Sequence, residues 1–135
     1  MMKKLAGVAI GAGLLAALPV LAHHSFAAEY DTTKPITLKG KFTKMDWVNP
    51  HSWVYFTVTN DQGKTEEWRA ETPPPNGLYR SGWRKNMLKE GDDITVQGYL
   101  AKDGDFLMWS QSVTFADGSR LTLNSPPPGT EKKKE

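Results

Sequence analysis

The sequence contains no cysteine in 135 residues. A disulfide framework, thiol redox chemistry, a thiolate metal site and lipid attachment through cysteine are therefore excluded. Histidine is nearly as scarce: His23, His24 and His51 are the whole supply, so any imidazole chemistry must use them. Phosphate-cradling glycine loops and dinucleotide fingerprints are also missing, and the glycines fall mainly at turns and inside strand-like runs. Charge is almost balanced, with 17 Lys plus Arg against 15 Asp plus Glu.

The small positive excess belongs to the first residues. Lys3 and Lys4 precede an almost wholly apolar or small run from Leu5 to Leu18, and Pro19 leads into Val20-Leu21-Ala22. These are the charged, greasy and small-residue parts of a secretory signal, with cleavage expected after Ala22. An uncleaved anchor fits less well. Gly7, Gly11, Gly13 and Pro19 interrupt the run, no basic stop follows, and a span needs about 20 apolar residues. A periplasmic or secreted destination follows, with no integral membrane segment after cleavage. Losing Lys3 and Lys4 leaves fifteen side chains of each sign. That balance argues against a nucleic-acid partner, which requires a basic face. Without covalent staples the exported domain must rely on its core, for which five Trp, four Tyr and five Phe supply large apolar surfaces.

The remaining chain divides into an N-terminal arm (23–35), one domain (36–124) and a disordered Pro- and Lys-rich tail (125–135). Phe26 and Tyr30, four apart, can meet across a helical turn or anchor the arm to the domain. Ile36, Leu38, Gly40 and Phe42 alternate with polar residues, but Met45 and Trp47 have the opposite parity, which predicts a bulge near Thr43-Lys44. Ser52–Thr59 predicts a second strand with Val54, Phe56 and Val58 inward. Asn60–Gly63 predicts a turn into a third strand, with Trp68 and Ala70 inward and Glu67, Arg69 and Glu71 outward. After three prolines, Asn76 is expected to cap a helix over Gly77–Leu88 whose buried stripe is Tyr79, Trp83 and Met87. Two further strands follow, Ile94–Leu100 and Phe106–Phe115. In the latter, Leu107, Trp109, Val113 and Phe115 are expected inward, and Gln111 is an exception needing a polar partner. A short strand, Arg120–Leu123, ends the domain. This order predicts an all-β to α+β fold, a small OB-like β-barrel of five main strands with one helix between strands three and four. A generic α+β roll is the alternative.

The phrases His23-His24-Ser25-Phe26, Trp47-Val48-Asn49-Pro50-His51-Ser52, Pro75-Asn76-Gly77-Leu78, Gly82-Trp83, Leu88–Asp92 and Gly98–Gly104 together resemble domain of unknown function 6152, a family of small exported bacterial proteins. The resemblance covers nearly all of His23 to Leu123. It implies export and extent, and it carries no assigned reaction.

Two binding chemistries are written in the residues. Signal removal would free the α-amine of His23, which with its own ring and the His51 ring makes a nitrogen set suited to copper. His24 is the second-choice ligand, and Asp31 and Asp46 are candidate outer acceptors for ligand N–H groups. Set against this, His51 can simply secure the Asn49-Pro50 turn. The other chemistry is non-metal binding of a small ligand or an envelope protein on an outer aromatic face of Trp53, Tyr55 and Tyr99. Those rings can equally cover the arm or the helix. Catalysis has less support: Ser52 beside His51 points the opposite way along a strand, and Glu66, Glu67 and Glu71 look like an ordinary charged strand surface.

Overall fold

The computed structural model describes residues 26–125. The expected signal segment, His23, His24 and nearly all of the expected tail lie outside the described residues. Eight elements follow in order: α1 (Phe26–Glu29), β1 (Tyr30–Asp46), β2 (Ser52–Thr59), β3 (Thr65–Thr72), α2 (Pro75–Ser81), β4 (Asp93–Ala101), β5 (Leu107–Phe115) and β6 (Arg120–Thr122). They build a mostly antiparallel six-stranded sheet in the order β3-β2-β1-β4-β5-β6. β3 also pairs in parallel with β5, through Arg69 with Leu107, Ala70 with Met108 and Glu71 with Trp109.

The alternating pattern of β2 is realised residue by residue. Ser52, Val54, Phe56 and Val58 are buried while Trp53, Tyr55 and Thr57 are half-covered, as the period of two requires. β1 carries the expected irregularity: its register with β2 slips between Phe42 and Lys44, leaving Thr43 as the extra residue. The bulge lets Phe42 and Met45, of opposite parity, both approach the core. β1 also starts earlier than Ile36. Tyr30 already pairs with Ala101, and the ladder resumes at Pro35 opposite Tyr99, so the latter part of the expected arm is strand.

Two sequence expectations need correction. Inward Leu107 and Trp109 on β5 give way to Met108 and Ser110, which are buried along with Val113 and Phe115; Ser112 is buried on the other face, its hydroxyl donating to Gln97 Oε1 at 3.1 Å. The cause is Gln111: Gln97 faces Ser112 and Gly98 faces Ser110, so Gln111 is a bulge that reverses the parity on either side of it. Its carbonyl accepts the N–H groups of Leu123 and Asn124 at 2.8 and 3.3 Å. Gly98 is needed there, because a Cβ on it would stand 1.7 Å from the Trp109 carbonyl oxygen.

The helix is shorter than Gly77–Leu88 and is not capped by Asn76. Pro75 opens α2, as suits a residue without an N–H in the first turn. Gly82 ends it at φ 98°, a left-handed position, with Gly82 N–H donating to the Tyr79 carbonyl at 3.1 Å and Trp83 N–H to the Leu78 carbonyl at 3.0 Å. The stripe is broken as a result. Trp83 is only 1% exposed and packs edge-on against Phe115, whereas Tyr79 and Met87 stay exposed.

Candidate functional site

The site forms where the β1–β2 connection folds back on the end of β3. The Asn49-Pro50 peptide is cis. The Ser52 hydroxyl donates to the Val48 carbonyl at 3.2 Å, and Ser52 N–H reaches the Pro73 carbonyl at 3.4 Å. These contacts hold His51 at the start of β2 beside Glu71 on β3. His51 Nδ1 lies 3.0 Å from Glu71 Oε1; the imidazole side chain is 52% exposed and the carboxylate side chain 11%.

Glu71 is the centre of this arrangement. The Tyr30 hydroxyl donates to its second oxygen, Oε2, and the Ser110 hydroxyl donates to its main-chain carbonyl at 2.6 Å. Register places Glu71 between Trp53 on β2 and Trp109 on β5, and Trp109 in turn faces Tyr99 on β4. Residues paired across strands share a face, so one row on the outer side reads Trp53, Glu71, Trp109, Tyr99. Over part of that row lies the chain around α1. The Phe26 ring stacks on Tyr30 with centroids 5.5 Å apart and meets Trp109 at 4.7 Å and Tyr99 at 6.0 Å. Lys102 N–H donates to the Glu29 carbonyl at 2.9 Å, tying the same segment to the end of β4. Burial, then the bond to Glu71, pushes the Tyr30 hydroxyl above the usual phenol range, so it remains a donor.

The polarity of these bonds assigns hydrogens. An ionised carboxylate only accepts, so His51 Nδ1 carries the hydrogen directed at Glu71. In the neutral ring Nε2 then keeps its lone pair. A half-exposed imidazole held this way has the form in which histidine ligates a metal, with a carboxylate on its other nitrogen.

The other expected residues take separate positions. Asp31 accepts from the Thr33 N–H and hydroxyl at 2.9 and 2.6 Å; those bonds hold its carboxyl below the usual range. Asp46 pairs with Lys44 at 3.2 Å. The carboxylate that orients His51 is thus Glu71, which the alternation pattern assigned to solvent. Its side chain does point outward, but the arm covers that face. Tyr30 was the other residue missed, and the aromatic density of the outer row was the available signal. Trp53 lies under the Arg69 guanidinium, 5.3 Å away, and Tyr55 under Lys44 at 4.4 Å. Tyr99 is covered by Phe26, so the three rings do not form one open patch. Tyr55 instead lines a groove of about 490 Å³ with Lys44, Arg69, Trp68 and Phe106. Among the described residues no group of three His, Asp or Glu side chains could hold a metal ion, and no helix is long and apolar enough to cross a membrane.

No curated protein matches the sequence. Among solved structures, the crystal structure of a tRNA fluorescent labeling enzyme is similar to 63% of this chain at 16% identity and a TM-score of 0.42. The chain spans 18% of that enzyme's length, and at that TM-score the likeness supports nothing further. The family model described as a family of unknown function (DUF6152) matches residues 13–108. Because that match takes in the Trp47–Ser52 phrase, the proline-led helix and well over half of the sequence, the chain belongs to the DUF6152 family.

Proposed function

We propose that this is an exported accessory protein of the cell envelope that binds copper through His51 and the processed N-terminal His23, with no catalytic activity assigned. The observation that carries the reading is the anchoring of His51 Nδ1 on the buried Glu71, which leaves Nε2 as the ligating nitrogen. Cleavage after Ala22 would supply the His23 amine and ring, and His24 a further nitrogen. Phe26, three residues on from His23, packs within the ring cluster that includes Tyr30, the other partner of Glu71. Three residues span about 10 Å when extended, which bounds how far from Phe26 the His23 nitrogens can lie. Copper suits such a nitrogen set. We also read β1 to β5 as an OB-like barrel, a reading supported by the parallel β3–β5 pairing that links the two halves of the sheet.

The test is copper titration of protein beginning at His23, beside H51A, Glu71→Gln and a form extended before His23. H51A and the extended form are expected to lose tight uptake, and Glu71→Gln to weaken it by about 10–100-fold. Equal, weak uptake by all four would overturn the site.

A second reading has its own observation, the groove lined by Tyr55. Mixed charges around aromatic rings suit a small polar ligand or a peptide of an envelope partner. Phe106→Ala and Tyr55→Ala would each abolish such binding without changing copper uptake. Retention of binding by both variants would eliminate the groove as the site.

A further inference from the structure

We infer that the surface around α2 is a docking face for an anionic phospholipid membrane. Four large apolar side chains among the described residues are strongly exposed, and three of them belong to this one region: Val48 at 47%, Tyr79 at 42% and Met87 at 40%. Contacts tie Tyr79 and Met87 into one region, and Val48 adjoins it in sequence. The Trp47 ring lies 5.5 Å from Tyr79, Val48 is the next residue after Trp47, and the Arg84 N–H donates to Met87 Sδ at 3.2 Å.

The charge contributed by the α2 segment is of one sign, while Asp46 precedes Trp47 and Asp92 accepts from the Lys89 N–H at 2.9 Å at its far end. Residues 76–89 contain Arg80, Arg84, Lys85 and Lys89 and no Asp or Glu, in a chain whose formal net charge is only +2. Two of these cations stand against the rings, Arg84 at 5.0 Å from the centroid of exposed Tyr79 and Lys85 at 5.8 Å from that of half-buried Trp47. Apolar groups rimmed by cations, with Tyr and Trp between, match the order met on descending from phosphate headgroups to acyl chains. A polar protein partner would not require the exposed Met and Val, and a neutral bilayer would leave the four cations unanswered. Each basic side chain near an anionic surface strengthens binding by about fivefold, an effect that fades with added salt.

The gap left by Gly82 explains how the face arises. A helix continuing to Leu88 would have kept Trp83 and Met87 on the exposed side of α2 with Tyr79, because Leu78 is the residue that α2 buries. The left-handed stop at Gly82 sends Trp83 alone into the core and leaves its two neighbours in the stripe outside.

Cosedimentation with vesicles of phosphatidylglycerol and phosphatidylethanolamine, beside pure phosphatidylcholine, tests this on the purified chain. A chelator is included so that any copper site plays no part. Wild-type protein is expected to bind the anionic vesicles and to leave them at about 0.5 M salt. R80E/K85E should weaken binding by at least tenfold, and Tyr79→Ser with Met87→Ser should do likewise. Lys39→Glu with Lys64→Glu, on other faces, should bind as wild type. Thermal melting of every variant separates lost docking from lost fold; a variant that melts early is replaced by Lys85→Glu alone, with about a fivefold loss expected. Absence of vesicle binding would overturn the inference, leaving a protein partner as the occupant. So would wild-type affinity in R80E/K85E, or binding that follows Lys132, Lys133 and Lys134 instead.

Discussion

Replacing Tyr30 with Phe removes one oxygen and keeps the ring that stacks on Phe26. No cavity is opened, so the cost is that of the bond to Glu71. Glu71 is a charged acceptor whose residue is only 8% exposed, and water cannot freely replace the lost donor. A hydrogen bond to a charged group contributes about 1.5–3 kcal/mol. For a domain of this size that lowers Tm by roughly 6–20 °C. The assay is a double-mutant cycle in urea with Tyr30→Phe, Glu71→Ala and the pair. In the Glu71→Ala background the hydroxyl has lost its acceptor, so Tyr30→Phe should then cost less than about 0.5 kcal/mol. An equal cost in both backgrounds would refute the coupling and with it the view that Glu71 links the arm to His51.

The same hydroxyl sets an alkaline limb. Unfolded tyrosine loses its proton near pH 10, while folded Tyr30 holds its own to higher pH. The folded state thus binds more protons above about pH 10, and stability falls as pH rises. Tyr30→Phe should have a shallower decline between about pH 9 and 11, measured by urea midpoints; an unchanged slope would count against the burial of the phenol. Gly98→Ala should cost about 3 kcal/mol or more, because its methyl would overlap the Trp109 carbonyl. A thermal melt within a few degrees of wild type would show that the β4–β5 bulge can relax around it.

Period-two alternation made β2 and β3 legible, and the parity change from Phe42 to Met45 made the first bulge legible, because hydrophobic residues on both sides of the slip mark it. The second bulge is marked only by polar Ser110, Gln111 and Ser112, of which Ser110 turned out to face inward. Nothing in their side chains announces that, and the inward set of β5 came out half wrong. The end of α2 was overruled by one residue: a four-residue apolar repeat outlives Gly82 in the sequence but not in the backbone. His51 could be singled out because it follows Pro50 at a strand start. Glu71 could not, since its exposure is decided by Phe26 and Tyr30 some forty residues away, a tertiary fact with no local signature.

One side of β5 is divided between two neighbours. Leu107 to Trp109 lie against β3, and Ser112 to Thr114 lie against β6. The three residues of β6 therefore act as a cover strip for a main-chain edge that the rest of the sheet does not reach. Cutting the chain at Gly118 would bare that edge and offer it to any extended segment nearby, so a C-terminal trim that looks harmless by mass would invite chain-to-chain sticking.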